Sequence, residues 1–351
     1  MKHLALGLAA MLASYPVIPP AIAADGAAAD FFKSKQMQII VGYGAGGGYD
    51  VYARLVAKHL SNHLPGQPSI IVQNMPGAGS LRAANYIYNA APKDGSFLAT
   101  FARSMVMMGM LGGNSNVQFD ARKFTWLGSP SSAQDEAYML WVRKDAKAKT
   151  LDDARRPGGP EILLGGSSEG STDTDIAVLI RNAAGVRLKV IGGYPDSNAM
   201  YLAVERGEVE GRFVGTSALS STRPDWLKPD GPMIPLLQFA RATRLPEFPN
   251  VPTAREVAKD DRARELIEMA EIPYMLSRPY VGPPDIPADR AHILQDAFLD
   301  MGKDPAFLAD AKKMRVDVSP VGAKEAARML DMLANAPQEM KDELRKMQSG
   351  G

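Results

Sequence analysis

The stretch from Met37 to Ser80 constrains this chain more than any other. Met37-Gln38-Ile39-Ile40-Val41 is short, apolar and β-branched, the pattern of a buried strand. The glycine-rich loop Gly42-Tyr43-Gly44-Ala45-Gly46-Gly47-Gly48 follows it. From Tyr49 to Leu60, apolar residues at 52, 55, 56 and 60 share one face at a 3.6-residue period, which predicts a helix. A second strand, Ser69-Ile70-Ile71-Val72, again ends in a glycine turn, Pro76-Gly77-Ala78-Gly79-Ser80. Loops of this kind carry little but backbone, and they aim N–H groups at a helix N-terminus, where an anion is stabilised.

The alternation continues through both halves. A helix is predicted over Leu81–Ala90, a turn at Pro92–Gly95 and a strand over Ser96–Phe101. Further strands are expected at Phe124–Ser129 and Tyr138–Val142. A second strand–loop–helix unit runs through Glu161–Leu164, the hydroxyl-rich loop Gly165–Thr172 and Asp175–Ile180. Lys189-Val190-Ile191 and Gly192-Gly193-Tyr194-Pro195 repeat the arrangement, so four glycine-rich turns follow strands, two in each half. That is where a crevice outside the carboxyl ends of strands would lie. A helix ending at Gly207 and strands at Val209–Val214 and Ile234–Ala240 come next; the remainder reads as helices at Arg255–Ala270, Ala288–Met301, Pro305–Lys313 and Ala323–Leu333.

Composition narrows the function. The chain has 351 residues, 46% hydrophobic, enough for two cores, and a net charge of +1 that speaks against nucleic acid as a partner. It has no cysteine, which excludes disulfides and thiol chemistry. Lys2 and His3, the apolar stretch Leu4–Ala13 and the small residues Ala21-Ile22-Ala23 predict a signal peptide over 1–23 and work in the periplasm.

Several motifs together resemble one family. Gly44–Asp50 is similar to the P-x-x-G-G-x-x-D loop of Bug-type periplasmic receptors, the substrate-binding proteins of tripartite tricarboxylate transporters. Gln73–Ser80 resembles their V-x-N-x-P-G-A-G-G segment, Ala91–Gly95 their A-x-P-D-G-Y turn, Gly165–Ser171 their G-S-S-G-x-G-T loop and Leu245–Thr253 their L-P-x-x-P-x-V-P-T. The resemblance implies an α/β, two-lobed periplasmic binding protein fold (type II-like), each lobe a mostly parallel sheet flanked by helices. Lobe 1 is expected to comprise 24–125 and 240–351, lobe 2 126–239, with hinges near Phe124–Ser129 and Ile234–Ala240. It further implies capture of a small organic carboxylate in the cleft for membrane transporter subunits, by a monomer that needs no cofactor. Lobe 1 would contribute Tyr43, Ala45, Gly46, Gly47, Asn74, Gly77, Ala78, Gly79 and Ser80; lobe 2 would contribute Ser167, Ser168, Ser171, Thr172 and Tyr194. Three departures stand out: Gly44 where the family has proline, Arg212-Phe213-Val214-Gly215 where it often carries an Asp, and Arg103 where uncharged residues are usual. Arg103 follows a strand at the expected crevice, and a guanidinium can hold a carboxylate with two parallel hydrogen bonds, so it is predicted to contact the ligand.

Three alternative chemistries are weaker. Gly42–Gly47 fits G-x-G-x-x-G, but the second strand ends Val72-Gln73-Asn74 without the acid that a ribose needs. Gly166-Ser167-Ser168-Glu169-Gly170 fits the G-x-S-x-G elbow of a serine hydrolase with Ser168 as nucleophile, yet the one downstream histidine, His292, lies within a predicted helix. His59 and His63 are spaced as a metal pair with no third ligand, and no metal is expected. Asp50 reads as a cap rather than an anion contact, and Met105–Met110 as core or cleft wall.

Overall fold

The structure, a computed structural model, describes residues 20–133 and 136–348. The first sheet has the order β11-β4-β10-β3-β1-β2. Next to its edge lies β1 (Met37–Val41), parallel to the edge strand β2 (Ile70–Asn74) on one side and to β3 (Phe97–Thr100) on the other. The apolar run that marked β1 is buried completely at Ile39, Ile40 and Val41. Beyond β3 lie β10 (Tyr280–Gly282), β4 (Thr125–Ser129) and β11 (Val321–Gly322). The second sheet has the order β7-β6-β8-β5-β9, made of β5 (Tyr138–Arg143), β6 (Ile162–Gly165), β7 (Leu188–Ile191), β8 (Gly211–Gly215) and β9 (Met233–Phe239).

Both sheets are mixed, and for the same reason. In the first, β1 to β4 run in one direction while β10 is antiparallel to both its neighbours. In the second, β6 to β9 run in one direction while β5 is antiparallel to β8 and β9. β5 and β10 are each the first strand that the chain lays down after arriving from the other lobe, and the short β11 is reversed as well, antiparallel to β4. The βαβ units elsewhere keep their strands parallel because a crossover helix returns the chain to its starting edge.

Helices cover the faces. In the first lobe, α1 (Pro20–Lys33) packs on α10 (Ala288–Met301), and α2 (Gly48–His63) packs against the sheet, α10 and α11 (Pro305–Met314). The helix face read from the sequence, Tyr52, Leu55, Val56 and Leu60, is the buried face of α2, each side chain contributing roughly 1.5–3 kcal/mol. Next come α3 (Leu81–Asn89) and α4 (Ser104–Leu111), with α12 (Ala323–Asn335) on β4. The methionine-rich stretch is therefore a helix, with Met105 and Met107 buried in the core. The second lobe carries α5 (Leu151–Arg155), α6 (Thr172–Ala184), α7 (Ser197–Glu205) and α8 (Thr216–Thr222).

Three features differ from the sequence reading. Strand β4, placed there at the start of lobe 2, pairs within the first sheet, so the first crossing follows Ser129. The helix expected over Arg255–Ala270 is α9 (Asp261–Glu271), because Asp260 accepts from the N–H of Ala263 and starts it there, while Glu256 folds back on the N–H of Thr253. The segment after β9 does not return wholly to the first lobe. Both α9 and α13 (Gln338–Gln348) pack on α6, with Arg262 bonded to Glu343 at 2.7 Å and Asn182 to the carbonyl of Met347 at 2.7 Å. Arg345 of α13 reaches the carbonyl of Leu111 in α4, so this helix touches both lobes. Residues 1–19, most of the expected leader, lie outside the described residues.

Candidate functional site

The two glycine turns of the first lobe are fastened from behind. Asp50 accepts from the N–H of Gly46 (2.8 Å), from Arg54 through both its oxygens (2.9 and 3.0 Å) and from Asn74 (2.9 Å). Asn74 also donates to the carbonyl of Tyr43 (2.9 Å), so it ties the end of β2 to the loop instead of facing a ligand. Burial works against the Asp50 charge, yet the Arg54, Gly46 and Asn74 bonds hold its carboxyl below the usual range. Ser80 donates to the carbonyl of Gly42 (3.1 Å) and closes the second turn onto the first. Residues 77–80 all have positive φ (142°, 46°, 61° and 87°), including the non-glycine Ala78 and Ser80. Such a run of left-handed backbone turns successive N–H groups toward one concavity.

The lobes meet across these turns. A Cβ on Gly79 would stand 3.0 Å from Ser171, and one on Gly44 3.1 Å from Asp196; the bare backbone lets the lobes close. Ser104 donates to the carbonyl of Gly170 (2.9 Å), and the hydroxyls of Tyr52 and Ser217 bond at 2.6 Å, both across the cleft.

Between the closed lobes lies an inner cavity of about 40 Å³. Tyr43, Gly44, Gly47, Gly48 and Tyr49 line it from one side, and Tyr138, Ser167, Asp173, Asp196, Ser197, Met200 and Arg212 from the other. Tyr43 and Tyr49 stack with centroids 4.8 Å apart. Burial pushes the hydroxyls of Tyr43 and Tyr138 above their ordinary pKa, so both are neutral hydrogen-bonding groups. Tyr43 and Ser167 also line an outer mouth of about 330 Å³, together with Gly42, residues 76–80, Ser168 and residues 193–195.

Arg212 is the cation of the inner cavity. It comes from β8 and is only 2% exposed. Its guanidinium donates to the carbonyls of Ser197 (3.1 Å) and Phe213 (3.3 Å) and lies 4.7 Å from the Tyr201 ring centroid. No carboxylate among the described residues is within ion-pair distance of it. Sequence reasoning marked Arg212 as a departure from the family pattern without giving it a role. The missed signal was a charge at the second position of an otherwise uncharged strand.

The predicted site residues fall into three groups. Tyr43, Gly47 and Ser167 line the inner cavity; Gly77, Ala78, Gly79, Ser80, Ser168 and Tyr194 line the mouth. Ala45 and Gly46 are exposed at the loop tip. Asn74, Ser171, Thr172 and Arg103 line neither space: Ser171 donates to the carbonyl of Ser168 (2.6 Å), and Thr172 faces Ser104 (3.4 Å). Arg103 is buried, so it is not a solvated surface charge. Its Nε is 3.4 Å from the Tyr49 hydroxyl, and its guanidinium lies 4.6 and 5.3 Å from the rings of Tyr274 and Tyr138. It therefore backs two tyrosines of the cavity wall.

The residues singled out for other chemistries are placed as follows. The Ser168 hydroxyl is buried with no hydrogen-bond partner among the described residues. His59 and His63 are engaged by Asp310 (2.9 Å) and Asp304 (3.0 Å), and His292 is exposed on α10. The described residues contain no cluster of three metal-ligating side chains and no helix long and apolar enough to cross a membrane.

No family model matches the chain. A UPF0065 protein of Cupriavidus necator is 41% identical over 98 residues, 28% of this chain and 25% of that one. Against that relative the match therefore spans only a quarter of its length. A UPF0065 protein of Bordetella bronchiseptica is 27% identical over 254 residues, 71% of each chain. Among solved structures, the R. palustris protein Rpa4515 with adipate superposes with a TM-score of 0.68 at 20% identity, covering 90% of this chain and 98% of that one. The periplasmic binding protein BugD gives a TM-score of 0.68 at 16% identity over the same shares. In sequence the chain is therefore similar to UPF0065 proteins, and it shares the two-lobed fold of periplasmic binding proteins such as BugD.

Proposed function

We propose that the protein is a periplasmic solute receptor that captures a small organic carboxylate between its lobes and presents it to a tripartite tricarboxylate-type transporter. One observation carries the reading: Arg212 is buried in the inter-lobe cavity without a carboxylate partner among the described residues. A buried guanidinium is costly unless an anion meets it, and a ligand carboxylate would supply two parallel acceptors. The fold shared with a protein solved with adipate supports the same class of ligand. The inner cavity, at about 40 Å³, takes only the charged head of a ligand, so the body would extend through Tyr43 and Ser167 into the mouth. Contacts with both lobes at once favour the closed state over an open one.

Calorimetric titration with mono- and dicarboxylates, paired with small-angle scattering, tests this. A carboxylate should bind without turnover and reduce the radius of gyration. Release of a product, or saturation with an unchanged scattering profile, would sink the proposal.

A further inference from the structure

The charge balance of the inner cavity bears on what else the ligand carries. Arg212 is its one cation, and two carboxylates, Asp173 and Asp196, line the same space. Each acid commits one oxygen to local structure. Asp196 Oδ1 accepts from the N–H of Ala199 (2.9 Å) at the start of α7. Asp173 Oδ2 accepts from the N–H (3.0 Å) and hydroxyl (3.3 Å) of Ser167. Among the described residues, nothing donates to Asp173 Oδ1 or Asp196 Oδ2. Asp196 Oδ2 faces Gly44 of the other lobe, where a Cβ would stand 3.1 Å from it. Asp173 is 5% exposed and bears on both Tyr43 and Tyr138.

Caps and staples explain one oxygen of each acid, not the other. A dicarboxylate would satisfy Arg212 and then set its second charge against two acids, and a monocarboxylate would leave both free oxygens unmet. An ammonium beside the carboxylate reverses that: it meets the two free oxygens, and the rings of Tyr43, Tyr49 and Tyr138 offer further faces to a cation.

We propose that the ligand is amphoteric, a free amino acid whose carboxylate is held by Arg212 and whose ammonium is held by Asp173 and Asp196. This rests on the receptor reading above and narrows it.

The test is calorimetry on the full mature chain with matched acids that differ by one ammonium: succinate and L-aspartate, glutarate and L-glutamate, 3-phenylpropionate and L-phenylalanine. In at least one pair the amino member should bind more tightly by about tenfold or more, as one added charge-assisted contact would give. Asp173→Asn should reduce that preference several-fold. Should that variant misfold because Ser167 loses its staple, Asp196→Asn, which keeps a capping oxygen, should do the same. If plain acids bind and no amino partner binds more tightly, the amphoteric ligand is overturned while the receptor reading stands. If no member of the panel binds, both fall.

Discussion

Arg212 and Arg278 are equally buried, each 2% exposed, and they live in opposite circumstances. Arg278 lies where the chain crosses between lobes for the second time. Its guanidinium bonds both oxygens of Glu136 (2.8 and 3.2 Å) and the hydroxyl of Ser131 (3.1 Å), residues of the first crossing. Its backbone N–H reaches the Ser129 hydroxyl (3.0 Å), and its guanidinium sits 4.1 Å from the centroid of the Tyr52 ring. Burial works against the charge of Glu136, and Arg278, with Arg103 farther off, more than offsets it, holding the carboxyl below its usual range. The crossing thus balances its own charges, whereas the cleft leaves Arg212 with carbonyls and a hydroxyl. Equal burial with unequal pairing separates a residue that holds the architecture together from one that awaits a ligand.

The sharpest way to break this comparison is to truncate both side chains. Arg278→Ala leaves Glu136 buried and unpaired, and should cost about 3–5 kcal/mol of unfolding free energy in a urea titration. Arg212→Met should not lower the stability of the unliganded protein, since it removes a buried charge that has no internal carboxylate. It should instead weaken ligand binding by about 2–4 kcal/mol, read by calorimetry. Equal losses of stability in the two variants would erase the distinction.

Asp175 shows a third way to handle a buried charge. It lies on α6 and accepts from the N–H of Gly170 (3.0 Å). Burial, with Asp173 and Glu169 nearby, raises its pKa from 3.8 to about 8, so it meets its lack of a cation by keeping a proton. The folded pKa is above the unfolded one, so this contribution to stability is complete below pH 3.8 and is lost as pH rises through about 8. Between pH 6 and pH 8 the unfolding free energy should fall by about 2 kcal/mol on this account. Asp175→Asn should flatten that slope, and an unchanged slope in the variant would show that another group titrates.

What the sequence made legible follows its periodicities. The unit β1–loop–α2 was readable because a β-branched run, a glycine cluster and a 3.6-residue stripe each occupy their own segment. Helix α4 was not, because Met105, Val106, Met107 and Leu111 are buried around much of its circumference and leave no polar stripe. Strands β10 and β11 have three and two residues and exist only through long-range pairing with β3 and β4. The site divided in the same way. Glycine turns announce themselves locally, so the mouth was largely foreseen. The inner cavity draws on β8, the starts of α6 and α7, and Tyr138, and no local pattern reports which side chains of distant segments converge. Asn74 and Ser171 sit in the right loops, but their hydrogen bonds point backward into the scaffold.

The smallest expected effect decides how far the ligand reaches. Ser168 lies in the mouth, and its buried hydroxyl has no partner among the described residues. An unsatisfied hydroxyl burdens the unliganded state, so Ser168→Ala should leave stability unchanged or slightly higher. If the ligand body extends from Arg212 past Ser167 into the mouth, this hydroxyl donates to it, and the variant should bind about 1–2 kcal/mol more weakly. That loss should be smaller than the loss at Arg212, since one hydroxyl replaces a charged fork. Unchanged affinity would confine the ligand to the inner cavity and leave the mouth as an entrance only. Covalent labelling of the wild-type Ser168 by a fluorophosphonate would instead revive a nucleophile there, against the absence of any histidine among its hydrogen-bond partners.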